Sequence, residues 1–205
     1  MELIGLSGYA FAAFAYLAFI LLLLAARNKT LSGRLVFLGS VFTLVASIVS
    51  FFQIDQGFSL RGPLAFEAIK LLIWSVLILC TQNNISRLRS ILSERKIKEY
   101  IIIWLGVTLV CWVAASTLAH GIKFLFLYFL IFNLWLLVLL EQLYRNADIK
   151  VKKALWSLII ALGAATVFDF VLFAQAVMIN QLDFDFWYLR GFVAALGMPL
   201  ILIST

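Results

Sequence analysis

Ionisable side chains set within long apolar runs are the residues of this chain best placed to do chemistry. At the centre of a membrane helix such a group costs roughly 2.5–3.5 kcal/mol on insertion scales, so its presence calls for a reason. Asp169 stands about fifteen residues into the apolar run that begins at Ala154, and steps of four back from it meet Ala165, Ala161 and Ser157. That small-residue face permits close helix approach and predicts that Asp169 points into a bundle. Arg190 shares a face with Ala194 and Gly197 on the following run and is the expected partner for a charge-assisted pair with Asp169. The competing expectation is that Arg190 snorkels to the headgroups while Asp169 is held by a hydroxyl or is neutral. Glu67 and Lys70 are three apart, close enough to meet on one helical face. They form either a local interfacial pair or, with Asp169, Gln175 and Arg190, the lining of a polar cavity open to the outside, with His120 and Lys123 at its rim. Asp169, Arg190, Glu67, Lys70 and Gln175 are therefore the candidate ligand-binding or switch residues.

Other chemistry is not supported by the residue types present. His120 is the single histidine, and no cysteine cluster, acidic pair at ligand spacing, phosphate-cradling glycine loop or nucleophile elbow accompanies it. No catalytic residue, cofactor or metal site is expected. Cys80 and Cys111 fall at different depths, which argues against a disulfide. The aromatic residues of the first run, from Tyr9 to Phe19, are expected to pack. Trp187 and Tyr188 read as interfacial anchors, and Asp183 or Asp185 as a helix cap.

These residues must be positioned by membrane helices. Of 205 residues 65% are apolar and 13% charged, and the mean hydropathy is +1.10, which excludes an ordinary soluble domain. Runs of 17–25 mostly apolar residues suffice to cross ~30 Å of hydrocarbon as helices. Seven are expected, at about 3–26, 35–52, 64–80, 100–118, 124–140, 154–179 and 186–203. The fold class is thus an all-α polytopic membrane protein forming a single domain. The first run lacks a basic leader region and reads as a retained span.

Twelve of the 16 basic residues fall in alternate gaps: Arg27, Lys29 and Arg34; Arg87, Arg89, Arg95, Lys96 and Lys98; Arg145, Lys150, Lys152 and Lys153. Basic loops stay in the cytoplasm, which gives an N-out, C-in topology. The net charge of +6 is assigned to lipid headgroups and not to nucleic acid. The stretch from Thr81 to Glu99 is expected to include a helical segment lying on the headgroups. Pro63 sits where a helix start tolerates it, while Pro199 interrupts the last span. Early and late spans show no convincing sequence repeat, and the abrupt end at Thr205 suggests that a longer chain continues into the cytoplasm.

Two stretches are more specific than composition. Glu141-Gln142-Leu143-Tyr144-Arg145-Asn146 closes the fifth span, and Phe168-Asp169-Phe170 combines with Leu182-Asp183, Trp187, Arg190-Gly191, Ala195-Leu196 and Pro199-Leu200. Over residues 141–205 the chain resembles the N-terminal membrane region of PEP-CTERM system sensor histidine kinases, the PrsK family. The earlier spans match that family in hydropathy and number. The resemblance implies a membrane input domain of a two-component system in the bacterial inner membrane, preceding a cytoplasmic kinase core absent from this sequence. It further implies a homodimer, an unidentified signal ligand, a response regulator reached through the kinase core, and a link to exopolysaccharide production and protein sorting. The alternative is a small-solute transporter or channel; an embedded enzyme and a structural subunit are the remaining classes.

Overall fold

A computed structural model of the chain describes residues 2–26, 30–83, 85, 94–117, 121–147 and 149–204. Seven helices account for almost all of them: α1 Glu2–Ala25, α2 Leu31–Gln56, α3 Arg61–Gln82, α4 Arg95–Thr117, α5 Ile122–Asn146, α6 Ile149–Ile179 and α7 Phe184–Ser204. Each contains a stretch long and apolar enough to cross a membrane, and the described residues include no strand. The protein is an all-α polytopic membrane protein. Helices are the form these runs must take, because hydrocarbon offers no hydrogen-bond partner for backbone groups left unpaired.

The helices extend past the expected spans, most clearly at α2, α4 and α5. Their ends leave the apolar region, where polar side chains support further turns. Thr30 caps α2 by accepting from the Gly33 amide at 3.1 Å. Arg95 pairs with Glu99 at 2.6 Å in the first turn of α4, and Glu141 with Arg145 at 3.4 Å in the last turns of α5. The expected surface segment between α3 and α4 falls largely on residues outside those described. So do Arg27, Lys29, Arg87, Arg89 and His120.

Neighbouring helices follow a closed circuit, α1–α2–α3–α5–α6–α7 and back to α1, with α4 left outside against α5 and, more lightly, α3. Because hydrocarbon solvates apolar side chains well, association within a bilayer depends on close packing and specific polar contacts. The α1/α7 contact is closest. A Cβ placed on Gly191 would lie 2.5 Å from the Gly8 carbonyl carbon and the Tyr9 nitrogen, so the backbones touch there only because residue 191 has no side chain. Phe129 of α5 stacks on Phe173 of α6 at 4.8 Å. On the outer flank Trp104 of α4 stacks on Phe132 at 4.2 Å, and the Thr108 and Tyr128 hydroxyls share a hydrogen bond of 2.8 Å.

Candidate functional site

Four charged side chains from three helices meet inside the ring. Arg190, about six residues into α7, donates from Nε to Asp169 Oδ1 at 2.5 Å and from Nη2 to Asp169 Oδ2 at 2.7 Å. The same Nη2 donates to Glu67 Oε2 of α3 at 2.7 Å. Glu67 Oε2 also accepts from Lys70 Nζ, one turn further along α3. The side chains of Arg190, Glu67 and Asp169 are only 5%, 5% and 6% exposed. Two cations and two anions make the cluster neutral, a condition for keeping charge in a poor solvent without a counter-ion. The forked Asp169 contact uses the planar guanidinium in a way an ammonium could not reproduce.

The snorkelling alternative for Arg190 and the purely local, interfacial reading of Glu67 and Lys70 are thus both corrected. The small residues Ala161 and Ala165 of α6 and Ala194 of α7 line the axis beside the charges, leaving room there for long side chains from α3 and α7.

The aromatic environment of Arg190 differs from expectation too. Trp187 is fully buried, with the guanidinium carbon 5.0 Å from its ring centroid. Its indole N–H donates to Gln53 Oε1 of α2 at 3.3 Å, and its backbone carbonyl accepts from the Tyr9 hydroxyl at 2.9 Å. An interfacial anchor it is not; three positions before Arg190, it shares the inward face of α7. Asp183 is the cap of that helix, its Oδ1 accepting from the amides of Asp185 at 2.9 Å and Phe186 at 3.4 Å.

A cavity of about 40 Å³ lies beside the cluster, with a wall contributed by every ring helix, including Tyr16, Thr43, Trp74, Leu136, Thr166 and Gly197. Its residues follow Glu67 and Arg190 on α3 and α7 and precede Asp169 on α6, which is the cytoplasmic side of the cluster in the topology that the basic-residue bias gives. Each water needs about 10–15 Å³ on this measure, so there is room for a few. Lys70 and Asp169 are the charged groups in its wall. The Thr43 and Thr166 hydroxyls donate to the carbonyls of Gly39 and Leu162, at 2.7 and 2.6 Å, which leaves their lone pairs as acceptors.

Among the described residues, the candidates do not together line one outward-open cavity. Glu67, Lys70, Asp169 and Arg190 come together, and the space lies on their inner side. Gln175 instead donates to Asp183 Oδ2 at 3.0 Å, tying α6 to the cap of α7. Lys123 is exposed at the start of α5. Tyr9, Gln53, Thr43 and Trp187 were not among the candidates. For α2 a signal was present in the spacing of Gly39, Thr43, Ala46, Ser50 and Gln53, a small and polar stripe that is buried throughout. Comparison of the chain with known protein families, with curated proteins and with solved structures finds no match in any of the three.

Proposed function

We propose that this chain is the membrane-embedded input domain of a two-component sensor histidine kinase in the bacterial inner membrane. In this reading it relays an extracytoplasmic or bilayer signal through its last helices to a cytoplasmic kinase core and thence to a response regulator. The observation that carries the reading is the position of Arg190. It sits on the last helix of the ring and is held by carboxylates from two others, so any event that redistributes those contacts moves α7 relative to α3 and α6. The support from sequence is the resemblance of residues 141–205 to the PEP-CTERM system kinases. A signal acts in this scheme by binding two arrangements of the helices unequally, and a buried ion cluster is a suitable element to bias because its partly broken states are costly.

The test is Asp169→Asn in the full-length protein, followed by phosphorylation of the kinase core in membranes. A change of at least about fivefold in basal output is expected, the lower end of ordinary allosteric coupling. Unchanged output from a correctly inserted variant overturns the relay role. A reading frame that stops at codon 205 overturns the kinase assignment itself. The axial cavity favours a second reading, a small-solute carrier or channel, because carriers place their sites at midplane between helical units. Uptake of small polar solutes by proteoliposomes of the purified chain would favour that reading over the first.

A further inference from the structure

The ring has an internal order that its sequence hides. With α4 outside the circuit, the succession of neighbours repeats after three helices: α1 against α2, α2 against α3, a seam to α5, then α5 against α6, α6 against α7, and a seam back to α1. Directions repeat as well. The helices α1, α3, α5 and α7 run one way and α2 and α6 the other, so both seams join parallel helices. This order and these directions are the ones a half-turn about the bundle axis would produce for α1–α3 and α5–α7.

Register agrees with this. Glu67 and Arg190 are separated by 123 positions, and the same separation relates other features of the two hairpins. The outer turns 57–60 and 180–183 are of equal length, and each opens on a left-handed residue, Gly57 at φ 67° and Asn180 at φ 56°. Leu64 and Trp187 are equivalent and both buried. So are Thr43 and Thr166, which both face the cavity and both donate to the carbonyl four residues earlier.

We infer that the ring consists of two equivalent three-helix units, and that the Glu67–Arg190 ion pair, formed by equivalent positions across their axis, is a gate closing the outer side of the axial cavity. The remaining contacts of the cluster stay within a unit: Lys70 with Glu67 on α3, and Asp169 with Arg190 between α6 and α7. Within the charged cluster Glu67–Arg190 is the contact that joins one unit to the other; beside it the Trp187 indole of α7 also reaches Gln53 of α2. Identical residues at these two positions would repel or be mute; opposite charges allow equivalent positions to bond. The two seams are unequal. The α7/α1 seam is fixed by glycine contacts and by the Tyr9 bond to Trp187. Across the α3/α5 seam the hydrogen bond among the described residues is Gln82 Nε2 to the Leu139 carbonyl, 2.9 Å, at the cytoplasmic end. The outer half of that seam is where release of the gate would part the units.

Phe58 and Gln181 are equivalent, exposed tips of the two outer turns, and nitroxide labels there read the separation of the units. The measurement uses the whole chain in lipid nanodiscs, with the free thiols Cys80 and Cys111 replaced by alanine, and pulsed dipolar spectroscopy. Glu67→Gln is expected to add a population longer by roughly 2–5 Å, the range from a helix shift to a helical turn. Phe129→Leu, which removes the stacking contact with Phe173 inside one unit and leaves the charged cluster intact, is expected to leave the distribution unchanged. Glu67→Asp keeps the charge and shortens its reach, and it replaces Glu67→Gln should that variant fail to fold. An unchanged distance in the folded Glu67 variant, or an equal lengthening in Phe129→Leu, overturns the gate. Because the readout is a distance in the membrane domain, it is independent of any kinase output.

Discussion

Arg190 concentrates the consequences of burying charge. It satisfies two carboxylates at once, so Arg190→Ala would leave Asp169 without its charged partner and Glu67 with Lys70 alone. Breaking a buried ionic contact in this one-sided way costs about 3–5 kcal/mol, and the expected readout is a lower midpoint of thermal unfolding in mild detergent. Arg190→Lys is expected to recover only part of the loss, since a point charge cannot form the fork to Asp169 and also reach Glu67. Full recovery by lysine would mean that charge alone suffices and that the fork is incidental. The meeting of Asp169 and Arg190 was legible in the sequence, because small residues on both helices mark the faces that carry them. Trp187 was not. A tryptophan near the start of a membrane helix reads by default as an interface residue, and only the direction of the α7 inward face distinguishes the two positions.

Among the elements, the α1/α7 contact is the one most constrained by backbone proximity. Gly191→Ala would drive a methyl group into the α1 backbone at Gly8 and Tyr9, where no flexible side chain can give way. A loss of about 1–3 kcal/mol is expected from such overpacking, measured as reduced thermal stability of the detergent-solubilised protein. The contrasting substitution is Gly106→Ala in α4, where an added Cβ meets nothing within 4 Å. It is expected to be neutral or stabilising by about 0.5–1 kcal/mol through helix propensity. Equal losses at both positions would show that the α1 backbone contact is not what sets Gly191 apart. All seven helices were legible from length and hydropathy, whereas the order in which they surround the axis was not. Hydropathy says that a residue avoids water and is silent on whether it meets lipid or another helix. That is why α4, apolar like the rest, gave no sign of lying outside the ring.

At the scale of the molecule, the basic-residue bias assigns the turns 57–60 and 180–183 to the outer side and the α3–α4 connection to the cytoplasm. A cysteine at Phe58 is accordingly expected to react with a membrane-impermeant thiol reagent added to intact cells, and one at Glu94 only after lysis. The opposite pattern would invert the topology and, with it, the side on which the gate stands. The relation between the two halves escaped the sequence for a physical reason. Equivalent positions need share only a direction of packing, so Ala46 stands where Asp169 stands and Ser50 where Phe173 does, and the charged pair at the axis has opposite signs. The outward-open pocket was expected because the charged residues fall in the outer halves of their helices. Their mutual neutralisation fills that space and leaves the void beneath them. Neutrality has one more consequence, electrical in nature. A unit charge moved across the membrane potential does work of about 2.3 kcal/mol per 100 mV, but a cluster of two cations and two anions displaced as a body does none. While Glu67, Lys70, Asp169 and Arg190 stay together, the cluster contributes no net gating charge. The step in which the cluster couples to the potential is the one that separates Arg190 from its carboxylates.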